Sequence, residues 1–258
     1  MADLTIVGCG NLGSALIKGL AAAGGHDVTA YDVDEAALER VAPHAARTTT
    51  DVETAMASDT VVVAVKPDIV GAVLSEFDLS ADQTLVTVAA GVSRDYVAAR
   101  TDATVVRVMP NLAAETQDMA AAVTWDEVDE DVRVMLADLG SFVEIEEELM
   151  DTATALNGSG PAFVFYTIQA MTEGALAEGM DETAAETLAA QTVKGAAETV
   201  LRSDRSVDDL IDAVCSPNGT TIEGMEVLWD SQFADAMGAA LAAATRRSRE
   251  MAAERADE

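Results

Sequence analysis

The sequence predicts an α/β protein: a doubly wound, mainly parallel sheet over residues 1–150, then an all-helical domain over 151–258. Three observations predict it. Short β-branched runs alternate with amphipathic runs as far as about residue 146. A glycine-rich turn, GCGNLG (8–13), joins the first of these strands to the first helix. Beyond about residue 147 the strand signal stops and helical periodicity continues alone.

Taken in order, LTIV (4–7), DVTAY (27–31), TVVVAV (60–65), TLVTVAA (84–90) and ATVVRV (103–108) read as buried parallel strands. Segments such as NLGSALIKGLAAAG and DEAALERVA supply the helices between them. MAAAVT (119–124) and SFVEIE (141–146) are expected as late strands around a helix near 127–138. The helical half offers 161–179 with Pro161 in its first turn, 181–202 capped by Asp181, 206–214 capped by Ser206, and a last run from 222 to the end. Residues 161–171 are apolar almost all round, so they are expected to be buried on every side. The helical domain is too apolar for a lone bundle of its size, which implies a partner chain over part of it.

Of 258 residues, 15 are basic and 46 acidic, a formal net charge of −31. Acid spread so evenly repels phosphate, which excludes DNA and RNA as partners. Three lysines, few aromatics and much Ala, Asp and Glu fit a cytoplasm rich in salt, where counterions screen self-repulsion. MADLTIVGCG carries no basic segment of a secretory signal, and no apolar run reaches eighteen residues, so no membrane span is expected. Cys9 and Cys215 have neither disulfide nor metal-ligand spacing, and a reduced, cytoplasmic setting is expected with no metal.

GCGNLG follows a strand and opens a helix, the context in which G-x-G-x-x-G marks a Rossmann-type dinucleotide site. Gly8 makes the tight turn, Gly10 lets a pyrophosphate approach the backbone, and Gly13 lets helix pack on strand. Asn11 and Leu12 lie at the helix start, whose free amides attract anions. Asp32, at the end of the second strand, is placed to accept from ribose hydroxyls and to repel a 2′-phosphate; Asp34 and Glu35 add to that repulsion, and no Arg lies between 14 and 39. NADH is therefore the expected cofactor, with NADPH admitted as well. A helix-capping role for Asp32 is the competing reading. VAVKPD places Lys66 at the carboxyl edge of the sheet, as a cofactor contact or a solvated lysine. VRVMPN places Asn111 there, as a donor to a nicotinamide carboxamide or a turn former.

At this point the chain resembles the pyrroline-5-carboxylate reductases over nearly its full length. The resemblance rests on GCGNLG, VKP (65–67), AAG (89–91), RVMPN (107–111), ALNGSGPAFVF (155–165), QTVKGAA (191–197) and SPNGTTIEG (216–224). It implies reduction of 1-pyrroline-5-carboxylate to L-proline by NAD(P)H, with Val65, Lys66, Pro67, Ala90 and Gly91 joining the cofactor contacts. It also implies a helical dimerisation domain that makes a homodimer, within a larger ring such as a decamer. The composition is similar to an acidic member of haloarchaeal type. Two stretches depart from the pattern: LAAETQDM follows MPN where Thr-Pro is usual, and Asn218 stands where Gly is common.

The same resemblance assigns the substrate carboxylate to Ser216, Asn218, Gly219, Thr220 and Thr221. The backbone physics agrees, since a helix begins there and its first amides are free to bind an anion. A capping box, with Thr220 as N-cap and Glu223 reaching back, is the structural alternative, and both hold if Thr221 alone faces the ligand. Hydride transfer usually needs a general acid, yet the helix after GSGP has no Lys before Lys194. An imine substrate accounts for the absence, because its nitrogen is basic enough to arrive protonated. Thr221 is expected to hydrogen-bond that nitrogen, and Asp204 resembles a family acid near it, or is a plain loop acid. An imine or hydroxyacid reductase acting on another small substrate, and a non-enzymatic dinucleotide sensor, are the alternatives.

Overall fold

The computed structural model describes residues 2–127 and 129–256. Eight strands form one sheet: β1 (Ala2–Val7), β2 (His26–Tyr31), β3 (Arg47–Thr49), β4 (Thr60–Val63), β5 (Thr84–Thr87), β6 (Thr104–Met109), β7 (Met119–Thr124) and β8 (Gly140–Glu144). Their order is β3-β2-β1-β4-β5-β6-β7-β8. The first six strands pair in parallel; β7 runs antiparallel to β6, and β8 is parallel to β7. The chain thus reverses direction across the sheet between β1 and β4, which opens a crevice at the carboxyl ends of those two strands.

The helices around the sheet are α1 (Asn11–Ala23), α2 (Glu35–Val41), α3 (Val52–Ala55), α4 (Val70–Glu76), α5 (Arg94–Ala98), α6 (Glu130–Leu139) and α7 (Met150–Ala153). Successive side chains of a strand point to opposite faces, and both faces are dry. Leu4, Ile6, Val62, Val86 and Val106 pack with Leu16, Ile17 and Leu20 of α1 and with Leu136 and Leu139 of α6. Val7, Val61, Val63 and Leu85 pack with Val70 and Leu74 of α4 and Val97 of α5. This explains why the strands read as unbroken β-branched runs.

Past α7 a single π turn, Thr154–Gly158, leads to α8 (Gly160–Ala177), α9 (Glu182–Arg202), α10 (Val207–Val214), α11 (Thr220–Trp229) and α12 (Phe233–Ala256). Asp181 caps α9 by accepting from the Ala184 amide, and Ser206 caps α10 by accepting from the Asp209 amide, as expected from the sequence.

The described residues pack as two units: one runs as far as Ser159 and takes in the chain from Ala242 on, and the other is Gly160–Leu241. The connection after β8 is fastened to the sheet by an ion pair between Arg107 and Glu147 and by Asn157 Nδ2, which donates to the carbonyls of Met109 and Ala120. Three points differ from the sequence reading. The terminal helical run is two helices, broken around Ser231, whose hydroxyl donates to the Leu228 carbonyl and so competes with the helix ladder. Within the single chain no residue of α8 is buried: Phe165 is 68% and Tyr166 72% exposed. Strand β3 was not foreseen, because three residues reading Arg-Thr-Thr carry no apolar signal.

Candidate active site

Gly8 follows β1 with φ +97°, a value that L side chains rarely adopt, and its amide donates to the Tyr31 carbonyl at 2.8 Å. A Cβ on Gly8 would meet Val65 Cγ1 at 2.8 Å, and one on Gly13 would stand 1.8 Å from the Gly8 carbonyl oxygen. These two glycines are thus required by packing. Gly10 differs: it is the N-cap of α1 with no side-chain cap, and nothing lies within 4 Å of where its Cβ would be. The space over Gly10 and the uncapped helix amides behind it fit a dinucleotide's pyrophosphate.

A cleft of about 760 Å³ opens at this point, among the carboxyl ends of the strands. Gly8, Gly10, Asn11 and Leu12 line one side, Asp32 and Val33 another, and Val65, Lys66 and Pro67 the side beyond β4. Ala90, Met109 and Pro110 close the far end. Asp32 is half-buried, and its carboxylate bridges two loops: Oδ2 accepts from the Cys9 amide at 2.7 Å and Oδ1 from the Asp34 amide at 3.0 Å. Each oxygen keeps a lone pair for a ribose hydroxyl. Asp32 does not cap α2; Asp34 does, accepting from the Ala36 amide. Burial, then the Asp32 charge, push the Cys9 thiol up to about 12, so it stays protonated and inert at neutral pH.

Asn111 lies next to Pro110, outside the cleft lining. Its Oδ1 accepts from the Ala113 amide at 3.1 Å and the Ala120 amide at 3.4 Å. Gly91 has φ +67° in the turn after β5.

In the helical unit, Ser216–Gly219 forms a turn closed by the Gly219 amide on the Ser216 carbonyl at 2.9 Å. Pro217 occupies its second position and Asn218, with φ +59°, its third, the pattern of a type II turn. Asn tolerates that backbone nearly as well as Gly, which explains how it stands at 218. A Cβ on Gly219 would meet Ser216 Oγ at 2.4 Å. Gly219 itself is the N-cap of α11, with no side-chain cap, so the capping box expected from Thr220 and Glu223 is not formed. Thr220 is the first helical residue. The Thr220, Thr221 and Ile222 amides have no intrahelical acceptor, and Ser216, Asn218, Thr220 and Thr221 are exposed. Asp204 is exposed in the bend between α9 and α10.

Sequence reasoning missed a buried polar cluster beside β6 and β7, outside the cleft lining. Arg107 is buried on β6 and pairs with Glu147, which also accepts from the Thr124 hydroxyl at 2.8 Å and the Arg94 amide at 3.2 Å. A charged residue inside a run of valines was the available signal, since a buried guanidinium requires a partner.

Comparison with known proteins agrees with this geometry. The family model "Pyrroline-5-carboxylate reductase dimerisation" matches residues 147–251, and "NADP oxidoreductase coenzyme F420-dependent" matches residues 3–91. A pyrroline-5-carboxylate reductase of Methanosarcina acetivorans is 39% identical, over 95% of this chain and 96% of its own, and the Escherichia coli enzyme of that name is 34% identical over 95% and 96%. Two solved structures superpose well: a pyrroline-5-carboxylate reductase from Coxiella burnetii (TM-score 0.88, 28% identity, 97% and 98% covered), and a pyrroline carboxylate reductase from Plasmodium falciparum with NADP bound (0.84, 27%, 97% and 98%). With identity at this level along nearly the whole sequence, the chain belongs to the pyrroline-5-carboxylate reductase family.

Proposed function

We propose that this protein reduces 1-pyrroline-5-carboxylate to L-proline with NAD(P)H, the closing step of proline biosynthesis. The observation that carries the reading is the presence, in one chain of this family, of a dinucleotide cleft with open space over Gly10 and an uncapped, exposed helix start after the SPNG turn. The dinucleotide, when bound, supplies the hydride. The residues of the chain bind and orient. Gly8, Gly10 and Gly13 shape the loop under the pyrophosphate; Asp32 accepts from ribose hydroxyls; Lys66 and Pro67 wall the cleft; Asn111 offers its free Nδ2 beside the far end. The amides of Thr220 and Thr221 hold the substrate carboxylate, with Ser216, Asn218 and Gly219 setting the turn. The hydride adds to the ring carbon of the protonated C=N bond, and the π electrons become the nitrogen lone pair of the secondary amine. Thr221 hydrogen-bonds that nitrogen, and Asp204 is the acid assigned near it. Holding a reactive, already protonated imine in place removes the need for a side-chain general acid.

NADH is the preferred cofactor in this reading, because Asp32, Asp34 and Glu35 would all face a 2′-phosphate. The exposed apolar face of α8 supports a homodimer, and a decamer built of such dimers is the larger assembly. Among the described residues no helix is long and apolar enough to cross a membrane, and we place the enzyme in a salt-rich cytoplasm. The test follows NADH and NADPH oxidation with and without 1-pyrroline-5-carboxylate. Turnover with a higher kcat/KM for NADH is expected. Turnover only with other imines or with hydroxyacids would move the enzyme elsewhere in the superfamily; binding of NADH without turnover of any substrate would make it a sensor.

A further inference from the structure

The antiparallel ladder between β6 and β7 pairs Arg107 with Thr124, Val108 with Val123 and Met109 with Ala122. It ends there: among the described residues no further backbone bond joins the two strands, and Pro110 turns its own backbone groups to the β5 side. The same register would next bring Asn111 opposite Ala120. At this position two side-chain amides take over from the backbone. Asn111 Oδ1 accepts from the Ala120 amide at 3.4 Å, and Asn157 Nδ2 donates to the Ala120 carbonyl at 3.0 Å and to the Met109 carbonyl at 2.5 Å. Ala120 is held at both its polar atoms, and Asn157 clasps the two strand ends together. The assignment of nitrogen and oxygen in Asn157 is fixed by this pattern, since the reverse would aim an oxygen at two carbonyls. Its Oδ1 is buried and, among the described residues, has no donor.

Asn157 belongs to the π turn, a distortion that often marks functional positions and that here aims the amide back at the sheet. The next residue, Gly158, touches the same wall: a Cβ there would stand 3.8 Å from Met109 Sδ. Met109 and Pro110 close the end of the cleft opposite Asp32. We infer that Asn157 is a positioning residue for cofactor binding: its side-chain amide gives the Ala120 carbonyl the bond that the Asn111 backbone amide does not make, and by its bond to the Met109 carbonyl it holds the Met109–Pro110 wall against the dinucleotide. The residue makes no claim on the substrate itself. The inference rests on the reading of the cleft as a dinucleotide site.

Three substitutions test it: Asn157→Ser, whose hydroxyl reaches one carbonyl; Asn157→Ala, which reaches neither; and Asn157→Asp, whose carboxylate repels both. NADH affinity is measured by titration of the full-length protein, together with melting temperature, kcat and KM. Affinity at pH 8 is expected to fall in the order wild type, Ser, Ala, Asp, with the Ala variant weakened about tenfold, as expected for one or two ordinary hydrogen bonds. For Asn157→Asp, affinity is expected to recover as pH falls through the range of the introduced carboxyl, because the protonated form can donate to one carbonyl; the wild type shows no such rise. Should the Ala variant fail to fold, the Ser variant and this pH profile still decide. Affinities within twofold of wild type in all variants, or losses that merely track melting temperature with no pH recovery, overturn the inference. If the wild type binds NADH tightly but does not turn over 1-pyrroline-5-carboxylate, the reductase reading fails while this one stands.

Discussion

In the sheet unit, Leu4, Ile6, Ile17, Leu20 and Leu85 are fully buried, and both faces of the sheet are closed by the chain's own helices. In the stretch Gly160–Leu241 only two residues are buried, Ala185 and Ala189, while Phe165, Tyr166 and Trp229 are all more than half exposed. Composition does not explain the contrast, since α8 alone reads GPAFVFYTIQAMTEGALA. The sheet unit buries its apolar residues within one chain; the helical unit has helices with the right apolar faces but nothing of its own to cover them. One region is therefore stable by internal packing, and the exposed apolar surface of the other is what the proposed dimer would cover.

The sharpest way to break that contrast is Phe165→Asp. A carboxylate placed where apolar surface is expected to meet its twin must either stay solvated, holding the copies apart, or be desolvated without a partner. Dimerisation is expected to weaken by more than about a thousandfold, roughly 4 kcal/mol, with activity lost and the sheet unit still folded. Light scattering that finds the variant fully dimeric and active would show that α8 faces solvent in the assembly.

Within the sheet unit the glycine loop gives the next largest effect. Gly13→Ala puts a methyl group 1.8 Å from the Gly8 carbonyl oxygen, backbone that cannot yield without moving β1 or α1. Both melting temperature and NADH affinity should drop, the latter more than about a hundredfold. Gly10→Ala meets no atom within 4 Å, so it should melt like the wild type yet lose affinity, because the methyl fills space the pyrophosphate would occupy. Equal affinity loss and equal melting shifts for the two would mean that the loop is only a tight turn.

Salt should divide the two regions more gently. With a formal net charge of −31 per chain, pairing two copies adds the repulsion between them to that within each, and counterions matter most at that step. Moving from dilute buffer to molar KCl is expected to raise the melting temperature by about 6 °C, or roughly 2 kcal/mol, with dissociation preceding unfolding at the low-salt end. Identical midpoints and identical mass in both buffers would remove the case for a halophilic design.

Much of this was legible in the sequence where one chain's own periodicity decides the outcome. The strands of the sheet other than β3, the GCGNLG turn and the caps Asp181 and Ser206 follow from local pattern, because their partners lie within a few residues or on a regular ladder. Asn157 was not legible: its partners, Met109 and Ala120, are distant in sequence, and only the register of β6 on β7 and the end of their ladder at Met109 give it a task. Within one chain the burial expected of 161–171 is not met, and the sequence places the missing cover on a partner chain without showing which residues supply it.

The loop at 216–221 joins both lessons, and it sets the smallest effects. SPNGTT offers several residues that cap helices well, and the sequence favours Thr220 with Glu223 as a box. The turn decides otherwise: Gly219 is held against Ser216 by its amide hydrogen bond, and the helix starts one residue earlier in cap terms. Thr221→Ala should then lower kcat/KM for 1-pyrroline-5-carboxylate about ten- to a hundredfold with little change in melting, because it removes a charge-assisted contact and no packing. Thr220→Ala removes an exposed side chain that caps nothing, so its cost in stability should stay below about 0.5 kcal/mol, against the roughly 1 kcal/mol expected of a lost N-cap. A Thr220→Ala destabilisation near the larger figure would mean that the threonine caps α11 in solution after all, and full activity of Thr221→Ala would move the substrate site away from this helix start.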